Sequence, residues 1–175
     1  MELPRVTRTY QNHHLDSTRW DVYRPRPDDV IVTTSYKSGT TWTQQILLWL
    51  LHGDQEPMPE LGEVSPWVDA RFMGTTKEQL GEILEGLSSP RFTTPRFIKS
   101  HLPLDGLPYY PEVRYVIVAR DARDVFMSLL NHYSSYTDIA MAALNSPDRP
   151  GDPMPRCPED PREVWRAWMT RGWFA

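Results

Sequence analysis

VIVTTSYKSGTTW, residues Val30 to Trp42, sets a β-branched apolar run against a loop carrying one lysine, one glycine and several hydroxyls, with a helical pattern behind it. A strand that passes through a short glycine turn into a helix leaves backbone N–H groups unpaired and pointing one way, where an anion, most often a phosphate, would sit. Gly39 lets the backbone approach closely, Ser38, Thr40 and Thr41 add hydroxyl donors, and Lys37 adds a full charge. The plainer reading is a strand-to-helix turn capped by Thr40 or Thr41; the lysine, the preceding strand and the tryptophan favour the anion site. A nucleotide loop of the form G-x-x-x-x-G-K-[ST] puts its lysine after a second glycine. Here Lys37 precedes Gly39 and no glycine lies between Val30 and Lys37, which disfavours an ordinary ATP or GTP loop.

Two further β-rich runs follow, Arg96 to Lys99 and Val113 to Ala119. The first and third of these strands are nearly continuous in apolar or β-branched residues, the composition of strands covered on both faces of a parallel sheet. Helical periodicity predicts helices over Thr41–His52 with Trp42, Ile46, Trp49 and Leu50, over Lys77–Leu87, and over Ala122–Tyr133. This alternation argues for an α/β fold with right-handed crossovers. From Asn145 to Pro161 there are six prolines in seventeen residues, which predicts a stiff, exposed loop. A last helix is expected over 161–173, with Asp160 as N-cap and Pro161 in the first turn. Its tryptophans need a packing partner, and three strands make a narrow sheet, so the chain reads as an incomplete domain.

The 175 residues suit a single domain able to bury roughly 70% of its unfolded surface. The net charge of −4 comes from 19 basic and 23 acidic residues without a long single-sign block, so neither nucleic acid nor a polybasic membrane contact is indicated. Any anion must be held locally. The lone Cys157 points to a reducing compartment, and the longest purely apolar run, Ile46–Leu51, is far short of a membrane span. A cytoplasmic protein with no membrane insertion is expected. Histidines such as His13, His14 and His52 lack a third ligand at sensible spacing, so no metal is expected.

The order K-S-G-T-T-W after a strand resembles the 5′-phosphosulfate loop of sulfotransferases that use 3′-phosphoadenosine 5′-phosphosulfate, with Tyr36 where proline is common. FIKSHLPLD, Phe97 to Asp105, resembles that family's K-T-H-L-P segment, and YVIVARDARDVFMSLLNHY, Tyr115 to Tyr133, resembles its 3′-phosphate segment. The resemblance covers about Asp28 to Tyr133, and VSPWVDARF, Val64 to Phe72, looks like its acceptor-side segment. It implies a three-layer α/β/α, P-loop-like nucleotide-binding fold of sulfotransferase type and a phosphosulfate donor. It further implies a hydroxyl acceptor that is a small molecule or lipid, and no metal. By the same resemblance His101 is the base, Lys37 stabilises the leaving phosphate, and Lys99 contacts sulfonate or phosphate. Ser38, Gly39, Thr40 and Thr41 line the phosphosulfate loop, and Arg120 with Ser128 binds the 3′-phosphate.

Alternatives stay open at several positions. Trp42 either stacks on adenine or packs with Trp49; Lys99 either serves the site or reaches solvent; Arg120 and Arg123 either bind anion or pair with Asp121 and Asp124. Trp67, Phe72, Tyr109, Tyr110 and Tyr133 suggest an aromatic acceptor pocket, although core packing would explain each. The family's R-K-G-x-x-G-D-W segment has no counterpart, which sets two expectations side by side. One is a sulfotransferase completed by a second chain, a homo-oligomer or sequence outside this span; the other is a truncated, inactive module that binds adenosine 3′,5′-bisphosphate. A nucleoside-phosphate kinase is the weakest alternative.

Overall fold

The computed structural model describes residues 3–88 and 95–171. Its sheet has the order β2–β1–β3, all parallel, from β1 (Val30–Thr34), β2 (Phe97–Ser100) and β3 (Arg114–Val118). Val30 lies opposite both Phe97 and Arg114, and Thr34 lies opposite Val118. Strand alternation then divides the core. Ile31 and Ile98 join Leu15, Trp20, Val68, Leu80 and Leu84 on one side, while Val30, Val32 and Phe97 join Leu48 and Val64 on the other. Helices therefore cover both faces of β1 and β2: α1 (Thr40–His52) and the short α2 (Leu61–Val64) on one, α3 (Lys77–Gly86) and a 3-10 turn at Ser17–Val22 on the other.

At the N-terminal ends of the strands sits a buried ionic knot. The Asp29 carboxylate accepts from Arg96 Nε and Nη2 at 2.9 and 2.5 Å, from the Tyr23 hydroxyl at 2.7 Å and from the Arg26 amide at 3.0 Å. The same guanidinium donates to the Leu84 and Arg24 carbonyls, so β2, α3 and the approach to β1 are tied at one point.

A third apolar cluster, with Phe126, Tyr133, Met141, Leu144, Met154 and Val164, joins α4 (Ala122–Ser134), α5 (Asp138–Leu144) and α6 (Pro161–Arg171). The tryptophans of α6 pack on α4, with Trp165 and Trp168 at 4.8 and 5.8 Å from Phe126. Asp160 caps α6 by accepting from the Arg162 amide at 2.9 Å, and the last two residues expected in that helix, 172 and 173, lie outside the described residues.

Three expectations need correction, and one helix was not expected at all. The apolar face of α1 is turned outward: Trp42, Ile46, Trp49 and Leu50 are 76%, 49%, 60% and 74% exposed, and Thr40, Gln44, Leu48 and His52 are buried instead. Polar groups can face inward here because they are paired, Gln44 Nε2 donating to Ser65 Oγ at 2.7 Å. β3 is not covered on both faces, since it lies at the sheet edge with Ile117 61% exposed. The proline-rich stretch is pinned rather than merely exposed: Asn145 brackets Met154 through both backbone groups, and Met154 is buried. Finally, α5 has no counterpart in the periodicity reading; Thr137 caps it and only Met141 and Leu144 are buried along it.

Candidate active site

The C-terminal tips of the three strands deliver the chemistry-bearing residues. After β1 the chain turns through Lys37 at φ 62° and Gly39 at φ 96°, two left-handed residues that aim successive N–H groups the same way. Gly39 precedes α1 without a side-chain cap, so the first-turn amides of Thr40, Thr41 and Trp42 meet no side-chain acceptor at the helix N-terminus, where the helix dipole favours an anion. β2 ends in Lys99 and Ser100 with His101 just beyond it, and Arg120 follows β3.

Lys37, Gly39, Thr40, Thr41, Trp42, Lys99, His101, Arg120 and Ser128 all line one cleft of about 770 Å³. Ser38 does not: it is buried, and its hydroxyl lies 2.6 Å from Ser35 Oγ, bracing the loop from behind. Thr40 Oγ1 is engaged with Thr34 Oγ1. Lys99 is drawn inward, its Nζ lying 4.1 Å from the Trp67 ring centroid, and burial foremost lowers its pKa, with Lys37 adding to the fall and Asp69 opposing it. Arg120 combines two readings left open by sequence. Its Nη1 donates to the Lys37 carbonyl at 3.4 Å while Nε lies 3.6 Å from Asp124, and Arg123 pairs with Asp121. Trp42 packs in no core cluster and lines the cleft.

His101 is only 8% exposed. Its Nδ1 sits 2.8 Å from the Thr34 carbonyl oxygen. A carbonyl can only accept, so Nδ1 carries the proton and Nε2 keeps its lone pair. Burial foremost, then Lys99 and Lys37, push its pKa down to about 3 against the opposing pull of the Thr34 carbonyl, so the ring is neutral at physiological pH. Behind it stands Asp69, fully buried, which accepts from the His101 amide at 3.0 Å, Trp67 Nε1 at 2.9 Å and Trp20 Nε1 at 3.3 Å. Burial raises the Asp69 pKa, and the hydrogen bonds from His101, Trp67, Ser100 and Trp20 oppose the rise.

Of the five aromatics expected around an acceptor, Trp67 and Phe72 line the cleft. Tyr109 and Tyr110 instead pack against the Ile31 core, and Tyr133 is buried under α4 with its hydroxyl donating to the Pro155 carbonyl at 2.6 Å. His14, Tyr36, His132 and Tyr136 take their places in the wall. Sequence reasoning missed Asp69 and this group, because their partners lie far away in the chain: His14 meets Phe72 at 5.0 Å and Tyr136 at 6.5 Å.

Residues 27–169 match the sulfotransferase domain family. The chain is 33% identical over 168 residues to a glycolipid sulfotransferase of Mycobacterium tuberculosis, covering 91% of this chain and 49% of that protein. It is 32% identical over 111 residues to sulfotransferase 1A1 of Rattus norvegicus, covering 62% of this chain and 37% of the relative. Among solved structures it resembles retinol dehydratase in complex with retinol and PAP, with a TM-score of 0.53 and 25% identity over 89% of this chain and 49% of that one. The chain thus spans about half the length, or less, of these relatives.

Proposed function

The chain belongs to the sulfotransferase family, and from that premise we propose that it moves a sulfuryl group from 3′-phosphoadenosine 5′-phosphosulfate to a hydroxyl of a small-molecule or lipid acceptor. The observation that carries the reading is a buried His101, its Nδ1 committed to the Thr34 carbonyl, sharing one cleft with Lys37, Lys99 and Arg120. Uncapped amides, two lysines and an arginine in one concavity suit a polyanion. Bound there, the donor supplies the sulfuryl group and departs as adenosine 3′,5′-bisphosphate.

The roles are carried over from the family resemblance onto residues that line the cleft. Lys37, with the first-turn amides and Thr41, holds the phosphosulfate end; Arg120 and Ser128 hold the 3′-phosphate; the exposed indole of Trp42 offers a stacking face for adenine. His101 Nε2 takes the proton of the acceptor hydroxyl as its oxygen bonds to sulfur, and the electron pair of the breaking S–O bond goes to the 5′-phosphate oxygen. Lys37 stabilises that growing charge more than the ground state. Negative charge entering the cleft also screens Lys37 and Lys99 from the imidazole, which raises its proton affinity when a base is needed. Cys157, a free thiol, fits a cytoplasmic setting for this chemistry.

A second reading, a module that binds the bisphosphate without turnover, is favoured by one feature: Trp42 is 76% exposed, so the adenine side of the cleft is open. A labelled phosphosulfate donor offered with a panel of phenols, alcohols and glycolipids separates the two. Sulfated product is expected, with His101→Ala lowering turnover by about 10²–10⁴-fold while calorimetric binding of the bisphosphate persists. Binding without product under any acceptor would select the module.

A further inference from the structure

The His101 ring has a partner that the reaction as described does not use. Tyr36 lies against its face, with ring centroids 4.2 Å apart and planes 26° from parallel, while the Trp67 ring meets it edge-on at 4.9 Å and 89°. Together with the Nδ1 contact to the Thr34 carbonyl, these rings fix both the tilt and the spin of the imidazole. We infer that Tyr36 is a positioning residue for His101, holding the imidazole in place and favouring its protonated form as the acceptor's proton arrives. The inference rests on the proposed role of His101 as base.

The electrostatics of the cleft explain why an aromatic face would be used. Lys99 from β2 and Lys37 from the loop both disfavour an imidazolium, and His14 from the N-terminal segment faces the same space. His132 and Tyr136 also line the cleft, and the Asp69 carboxylate is spent on the His101 amide, Ser100 and two indoles. A carboxylate beside the ring would favour the proton but repel an anionic donor. The face of a phenol attracts a cation through its quadrupole and carries no net charge. A neutral imidazole gains little from that face and an imidazolium gains more, so the contact strengthens as the proton is taken up.

Position 36 can be varied through Phe, 3,5-difluorophenylalanine, pentafluorophenylalanine and Leu, the fluorinated rings keeping the shape while weakening the quadrupole. Phe should match the parent kcat within twofold, and kcat should fall stepwise to about tenfold lower at pentafluorophenylalanine and Leu, with the donor KM within twofold throughout. The acid limb of kcat should move to lower pH in the same order. Proton NMR supplies a readout independent of turnover: the His101 Hε1 resonance should be shifted upfield by the ring in every aromatic variant and released in Tyr36→Leu. A flat kcat series in an active protein, or an Hε1 signal unmoved by Leu, overturns the inference alone. A parent protein that binds the bisphosphate and transfers nothing overturns the base assignment, and the inference with it.

Discussion

Removing Asp69 offers the most direct test of how the site is built. In Asp69→Ala the His101 amide, Trp67 Nε1 and Trp20 Nε1 lose their common acceptor, at distances of 3.0, 2.9 and 3.3 Å, in a place without solvent. Each buried donor left unmade costs about 1–3 kcal/mol, and relief from burying a carboxylate returns part of this, giving a net loss of about 3–6 kcal/mol. For a domain of this size that corresponds to a Tm lowered by about 10–20 °C. Asp69→Asn separates charge from geometry. Its carbonyl can stand at the Oδ2 position and keep the two shorter bonds, its amide meets the Trp20 indole donor to donor, and no charge is buried; a change within about 2 kcal/mol is expected. Denaturant unfolding followed by tryptophan fluorescence would measure both. The reasoning fails if Ala lies within 1 kcal/mol of the parent, or if Asn and Ala are equally destabilised.

Acid should unfold the protein through its buried histidines. His14 and His101 are held down to about 2 and about 3, His14 chiefly by burial and then by the neighbouring histidines and Arg71, His101 by burial and then by its lysines. Because both folded values lie below the ordinary value, their contribution is complete above pH 6.5 and declines as pH falls toward those values, by about 2 kcal/mol each at pH 5. Urea titrations at pH 7 and pH 5 would show it, and equal midpoints would refute it. At the other end of the sheet, Asp29→Ala strands the Arg96 guanidinium, 3% exposed, and should cost about 3–5 kcal/mol, with bisphosphate affinity in the folded fraction unchanged. A loss under 1 kcal/mol would mean that water reaches Arg96.

The parallel α/β alternation was legible because β-rich runs alternate with helical periodicity, although of the two strands whose composition announced two-sided burial only β1 has it, and the anion loop because Lys37 and Gly39 stand between a strand and a helix. His101, Lys99 and Arg120 were legible by resemblance, at strand tips whose alternation is a local property. What escaped the reading was non-local. The apolar periodicity of α1 points to the wrong inward face, since nothing near Gln44 in the chain announces that Ser65 will satisfy it. Nothing in VSPWVDARF marks Asp69, because besides its neighbour Trp67 its donors, the His101 amide and the Trp20 indole, come from distant segments. Tyr109, Tyr110 and Tyr133 could not be told from Tyr36 and Tyr136 by type, because core and cleft draw on the same aromatic residues.

The Asp29–Arg96 knot and the cleft occupy opposite ends of the same short strands. That separation bears on how such a chain can diverge. On the proposed function, a change at Ala140, which lines the cleft, would reach an acceptor without disturbing the Asp29–Arg96 anchor. If the proposed transfer holds, lineages carrying this sheet could explore new hydroxyl compounds without first acquiring compensating changes at the opposite strand ends.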